Sequence, residues 1–217
     1  MMAQAVIFDM DGVLTDSEWF IAEAGRLMFK ERRGIDVAHE DFKPFVGHGE
    51  NKFLGGVAEK YGVPFDVERD KARTYEIYCA LVPGKLRELP GASAFVRACR
   101  ERGLKTALAT STDRIKMLAN LREIGLDHGA FDALVNGEDV ERKKPFPDIF
   151  LEAARRIGVD GSACWVVEDS VGGVVAAKAA GMRCLALLTT FPEAELRSAG
   201  ADLIVRDLSA ADAKNLS

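Results

Sequence analysis

The stretch CWVVEDSVGGVVAAKAAGMRCLALL, residues 164–188, decides the fold. It opens on a short apolar run that ends at the acidic pair Glu168–Asp169. A helical run over 171–180 follows and stops at Gly181, where a C-terminal cap glycine belongs. A second apolar run begins at once, over 183–188. Short, continuously apolar runs suit strands covered on both faces, as in a parallel sheet.

The same unit repeats outward from this stretch. Apolar runs at 5–8, 105–109, 133–136 and 202–205 read as further strands. Helical patterns lie at 92–102, 113–124 and 147–157, and Gly103, Gly125 and Gly158 follow them. This rhythm predicts an α/β fold with a doubly wound, Rossmann-like parallel sheet. Residues 17–85 break it. There Ile21, Ala24, Leu27 and Met28 form one helical apolar stripe, and Phe53, Leu54, Val57, Ala58 and Tyr61 another. The expected organisation is a core domain of residues 1–16 and 86–217, with a helical cap domain inserted over 17–85.

Composition narrows the partners. The 217 residues are 48% hydrophobic and 29% charged, as in an ordinary soluble protein. A net charge of -5 gives no electrostatic case for nucleic acid or an anionic membrane. No apolar run reaches the roughly 20 residues of a membrane span. The N-terminus does not read as a signal peptide. The four cysteines are widely spaced without a CxxC pair, and read as reduced thiols of a reducing compartment, the cytoplasm or an organelle stroma.

In a doubly wound sheet, ligands bind beyond the carboxyl ends of the strands. Those ends carry Asp9 and Asp11, then Thr110, Ser111 and Thr112, then Glu168 and Asp169; Lys143 and Lys144 follow the strand at 133–136. Burying several carboxylates together is costly unless a cation lies between them. Hard oxygen ligands without His or Cys point to magnesium, which commonly also binds a substrate phosphate. Thr110 and nearby backbone N–H groups suit phosphate oxygens, and Lys144 suits further negative charge. Asp9 and Asp11 share a strand face, so Asp9 can face phosphorus as nucleophile while Asp11 lies beside a leaving oxygen as acid. Gly12 allows a sharp exit from the strand. Asp16, Ser17 and Glu18 read as the cap of the first inserted helix, Trp19 and Phe20 as its core, and His39 as a surface residue. Lys143 reads as a solvated neighbour, and Gly172–Gly173 as a close helix–sheet contact.

Four segments, FDMDGVLTDSE, LATST, KKPFPDIF and VVEDS, resemble in kind and order the motifs of the haloacid dehalogenase superfamily. The branch is that of the phosphatases and β-phosphoglucomutases. The resemblance spans essentially the whole chain, with 17–85 matching that family's four-helix cap. It implies attack by Asp9 to give an aspartyl-phosphate, proton transfer by Asp11, and orientation of phosphoryl oxygens by Thr110 and Lys144. It implies magnesium held by Asp9, the Asp11 carbonyl and Asp169, with Glu168 direct or through water. The substrate would be a small phosphorylated, sugar phosphate-like metabolite and the protein a monomer.

The cap loop PFVGHGENKFLGG offers Gly47, His48, Gly49, Glu50, Asn51 and Lys52 for substrate binding, with Ser111 opposite. Part of this loop is similar to the cap of the haloacid dehalogenase domain in chloroplast suppressor-of-quenching proteins. Where the family's phosphoglucomutases carry a cap histidine, arginine and lysine, this chain has Ile21, Glu50 and Tyr78. A phosphatase is therefore expected. The alternatives are a phosphosugar mutase and a non-catalytic regulatory or binding module.

Overall fold

The computed structural model describes residues 3–46, 49–126 and 128–216. Six strands form one sheet: β1 (Ala5–Phe8), β2 (Lys105–Ala109), β3 (Ala133–Val135), β4 (Cys164–Glu168), β5 (Arg183–Leu187) and β6 (Leu203–Val205). Every pairing is parallel, in the order β3-β2-β1-β4-β5-β6. The chain thus winds one way from β1 through β2 to β3 and the other way from β4 to β6. β1 lies at the reversal, where open α/β sheets leave a crevice.

Alternation along the strands builds two cores. Val6, Phe8, Trp165, Val167, Leu185 and Leu187 face one side, where Phe95 and Val96 of α4 (Ala92–Glu101) and Met117 and Leu121 of α5 (Arg114–Glu123) cover them. Ala5, Ile7, Cys164, Val166, Cys184 and Ala186 face the other side. There they meet α6 (Asp148–Ile157), α7 (Val171–Ala179) and α8 (Glu193–Ser198). This double coverage is why the strands read as unbroken apolar runs. Gly103, Gly125, Gly158 and Gly181 all take positive φ after their helices, as a left-handed cap requires.

Between β1 and α4 the chain forms α1 (Glu18–Arg33), α2 (Glu50–Lys60) and α3 (Val67–Leu81), with a 3₁₀ helix over His39–Phe45. The expected four-helix cap is therefore three α-helices and one 3₁₀ helix among the described residues. Pro44 and the short apolar stretch around it leave no room there for an amphipathic α-helix. These elements share their own core of Met28, Phe29, Phe42, Leu54, Val57 and Tyr78, joined by Ala119 of α5. The chain leaves and re-enters the sheet layer at adjacent points: Leu89 N–H donates to Leu14 O at 2.9 Å.

Two local expectations fail. Ser17 stands at the N-cap of α1 but makes no capping hydrogen bond; its hydroxyl donates to Asp11 instead. Trp19 is 56% exposed rather than core. It lies outside the stripe that α1 buries, and stacks on His39 at 5.5 Å. Phe20 is partly buried against the helical core, as expected.

Candidate active site

The ends of β1, β2 and β4 and the connection after β3 converge under the helical insertion. Asp9 follows β1, and its N–H donates to Val167 O on β4 at 3.0 Å. Thr110 follows β2, with its N–H donating to Val135 O on β3 at 3.0 Å. Glu168 ends β4 and Asp169 succeeds it. The sheet therefore fixes these backbones before any side chain interacts. Together with Asp11, Ser111, Thr112, Lys144, Gly49 and Glu50, most of them line a cavity of about 70 Å³.

Lys144 is buried between two carboxylates. Its Nζ lies 2.8 Å from Asp9 Oδ1, out of line for a hydrogen bond, and donates to Glu168 Oε1. Glu168 Oε2 accepts from the Asp169 and Ser170 N–H groups at 2.8 Å each and from Ser170 Oγ at 2.9 Å. Both Glu168 oxygens are thus committed to protein donors. Gly173 makes room for this carboxylate: a Cβ there would meet Glu168 Oε1 at 1.8 Å. The glycine pair predicted as a helix–sheet contact works at Gly173 alone, since Gly172 has open space around it. Gly12 serves Asp169 similarly, with φ of 77° and a would-be Cβ 2.0 Å from Asp169 Oδ2.

Asp9, Glu168 and Asp169 each offer a carboxylate oxygen within 4.8 Å of the others, and all three residues are buried. Three carboxylates against the one ammonium of Lys144 leave an excess of negative charge. Burial pushes the Asp9 carboxyl up to about 7; Lys144 opposes this and Glu168 adds to it. Burial likewise holds Asp169 well above the ordinary carboxyl value, reinforced by Glu168 and Asp9. Burial alone would depress the Lys144 ammonium, but Asp9 and Glu168 more than offset it and hold it above the lysine value. An all-oxygen donor set with uncompensated negative charge fits a hard divalent cation.

The Asp11 side chain turns away from this cluster. Lys116 Nζ donates to its Oδ2 at 2.6 Å, while Ser17 Oγ and, at 3.3 Å, Asn120 Nδ2 donate to its Oδ1. Burial would lower the Lys116 ammonium, yet Asp11 and Glu50 hold it above the ordinary lysine value. Glu50 reaches in from α2, where its Oε1 accepts from Thr112 Oγ1 at 2.6 Å. Burial raises its carboxyl, against Lys116. Gly49, at positive φ, brings the insertion to the core: its would-be Cβ lies 3.4 Å from Ser111 O.

Of the residues expected at the site, the structure brings together Asp9, Asp11, Thr110, Ser111, Lys144, Glu168, Asp169, Gly49 and Glu50. Asn51 and Lys52 are exposed on α2 and do not line the cavity. Gly47 and His48 lie outside the described residues. Lys143 is half-buried, with its Nζ 3.5 Å from Val140 O. Sequence reasoning missed Lys116, Asn120 and the role of Ser17. A signal existed: Lys116 and Asn120, one helical turn apart, run beside the apolar pair Met117 and Leu121.

Residues 3–181 match the family model for haloacid dehalogenase-like hydrolases. Over 207 residues the chain is 48% identical to the chloroplastic protein suppressor of quenching 1 of Arabidopsis thaliana, covering 94% of this chain. It spans only 20% of that protein's length. It is 35% identical over 179 residues to a phosphorylated carbohydrates phosphatase of Thermotoga maritima, covering 82% of each. The crystal structure of CbbY from Rhodobacter sphaeroides in complex with phosphate superposes with a TM-score of 0.85 at 26% identity, covering 96% of each chain. With the family model spanning most of the chain and its motif residues gathered at one sheet edge, this protein belongs to the haloacid dehalogenase-like hydrolases.

Proposed function

We propose that the chain is a magnesium-dependent phosphatase that hydrolyses a small phosphorylated metabolite through an aspartyl-phosphate on Asp9. One observation carries this reading: a buried Asp9–Glu168–Asp169 cluster whose negative charge exceeds what Lys144 balances, opening on a cavity beneath the insertion. Asp9, Asp169 and the Asp11 carbonyl would hold the cation, with Glu168 at water distance because its oxygens are already engaged. When bound, the cation neutralises phosphate charge and keeps Asp9 ionised.

The residues divide the remaining work. Asp9 attacks phosphorus and releases the alcohol. Asp11 gives a proton to the departing oxygen, then takes one from the water that hydrolyses the acyl-phosphate. Lys144 and Thr110 orient the phosphoryl oxygens. The insertion covers the cavity, and its lifting would admit substrate while its reseating would exclude water. Ile21 is buried in the insertion, and among the described residues no histidine lines the cavity, which supports a phosphatase over a mutase. The Thermotoga maritima relative named a phosphorylated carbohydrates phosphatase supports a sugar phosphate-like substrate. The unpaired cysteines suit a reducing compartment, the cytoplasm or an organelle stroma, and we take the protein to act as a monomer. No helix among the described residues is long and apolar enough to cross a membrane.

The test is phosphate release from sugar phosphates, phosphoglycolate, nucleoside monophosphates and p-nitrophenyl phosphate, with and without magnesium. Magnesium-dependent release that Asp9→Asn abolishes is the expected result. Release only after adding a sugar bisphosphate activator would indicate a mutase, and no reaction under either condition would indicate a binding module.

A further inference from the structure

Helix α5 buries two polar side chains on one stripe. Lys116 is 2% exposed and Asn120 is fully buried. Such groups cost free energy inside a protein unless they are paired. Both contact the same residue, at its two carboxylate oxygens, and Asn120 Nδ2 also donates to Met10 Sδ at 3.2 Å and Thr15 Oγ1 at 3.4 Å. Lys116 holds Asp11 Oδ2 at 2.6 Å and Asn120 reaches Oδ1 at 3.3 Å, where Ser17 also donates.

Behind this layer stands the helical insertion. Glu50 Oε1 of α2 lies 3.7 Å from Lys116 Nζ. Tyr78 of α3 donates its hydroxyl to Asn120 Oδ1 at 2.5 Å, and its ring lies under Lys116 Nζ at 5.7 Å. Each α5 residue therefore touches Asp11 on one side and an inserted helix on the other. Ser17, the third partner of Asp11, is the residue before α1.

Resting on the phosphatase reading above, we infer that Lys116 and Asn120 are positioning residues that aim the Asp11 carboxyl. Glu50 and Tyr78 make that aim depend on the insertion being seated. When the insertion lifts, the contacts of Glu50 and Tyr78 with α5 break and the Asp11 side chain loses its fixed orientation. Proton transfer is then confined to the closed cleft. A displacement of about 1 Å in such a group costs on the order of a hundredfold in rate.

The test compares two esters that differ in their need for a proton donor. An alkyl phosphate needs its leaving oxygen protonated; p-nitrophenyl phosphate does not. kcat/KM reports the steps through leaving-group departure, so the later hydrolysis of the acyl-phosphate does not enter. Lys116→Met should lower kcat/KM for the alkyl ester by about 10- to 100-fold and for the aryl ester by less than about threefold. Lys116→Arg keeps the cation and should recover much of the alkyl rate. Tyr78→Phe, which removes one hydroxyl from the insertion side, should shift the same ratio by about 3- to 10-fold. It decides the matter if Lys116→Met does not fold. Equal losses on the two esters, or an unchanged alkyl rate, would overturn the inference while leaving the phosphatase reading intact. A parent protein that cleaves neither ester would overturn both.

Discussion

The metal-free protein should lose stability as pH rises from 5 to 8, and Asp9 supplies a calculable part of the effect. Its carboxyl has an ordinary value of 3.8 and is pushed up to about 7 in the folded state, by burial first. In that interval the folded protein holds a proton that the unfolded chain has already released. Protonation therefore stabilises the fold at pH 5, and this contribution disappears as pH rises through 7. At about 1.4 kcal/mol per pKa unit, the loss between pH 5 and 8 is about 3 kcal/mol from Asp9 alone. Asp169 is displaced in the same direction and adds to it. For a protein of this size the Asp9 loss corresponds to a fall of roughly 5–10 °C in midpoint. Asp41 and Glu152 titrate at about 2, held there by Lys60 and Arg155 respectively, so their contribution is constant across this window. Thermal unfolding of chelator-treated protein, followed by circular dichroism at several pH values, reads the effect directly. Magnesium at a hundredfold over its Kd should add about 2.7 kcal/mol where it binds. Because it competes with protons for Asp9, its gain should grow from pH 5 to pH 8. Asp9→Asn should reduce the metal-free slope, leaving the part that Asp169 contributes. A midpoint independent of pH from 5 to 8, or the same slope in Asp9→Asn, would refute the reasoning.

Three further substitutions probe the site and its support. Asp11→Asn should lower phosphate release by about 10²- to 10⁴-fold while leaving magnesium binding, measured by calorimetry, in place. Gly173→Ala places a methyl group on Glu168, so it should cost about 1–3 kcal/mol in chemical denaturation and displace Lys144 enough to reduce turnover. Asp70→Ala removes the buried carboxylate that holds Arg32 at 2.6 Å and Arg33 at 2.5 Å. It should destabilise the protein by roughly 3–5 kcal/mol, seen as a lowered denaturation midpoint.

Local signals were enough for much of this protein. Four of the six strands are buried along nearly all their length, so their apolar runs appear directly in the sequence. Boundaries differ from expectation by one residue at β3, β5 and β6, where Asn136, Leu188 and Asp202 fall just outside the paired register. Helix α8 escaped the reading because only Leu196 of its short span is buried, leaving too little periodicity to see. Trp19 shows the same weakness in the insertion: its size suggests core, but the side of α1 on which it falls is set by packing against α3 and the 3₁₀ helix.

Asp9, Thr110, Lys144, Glu168 and Asp169 were legible because each sits within a residue or two of a strand end or in one short connection. In a parallel sheet, backbone pairing brings those ends to one edge, so sequence position becomes spatial position. Lys116, Asn120, Glu50 and Tyr78 were not legible as a group. They lie on three helices, separated by dozens of residues, and a lysine in a helix ordinarily faces water. Which face α5 turns toward Asp11, and where α2 and α3 come to rest upon it, follows from side-chain packing between layers. The sequence by itself therefore determined the sheet and the chemical groups at its edge. The orientation of Asp11, and its tie to the inserted helices, was decided only when tertiary packing buried Lys116 and Asn120 against Asp11, Glu50 and Tyr78.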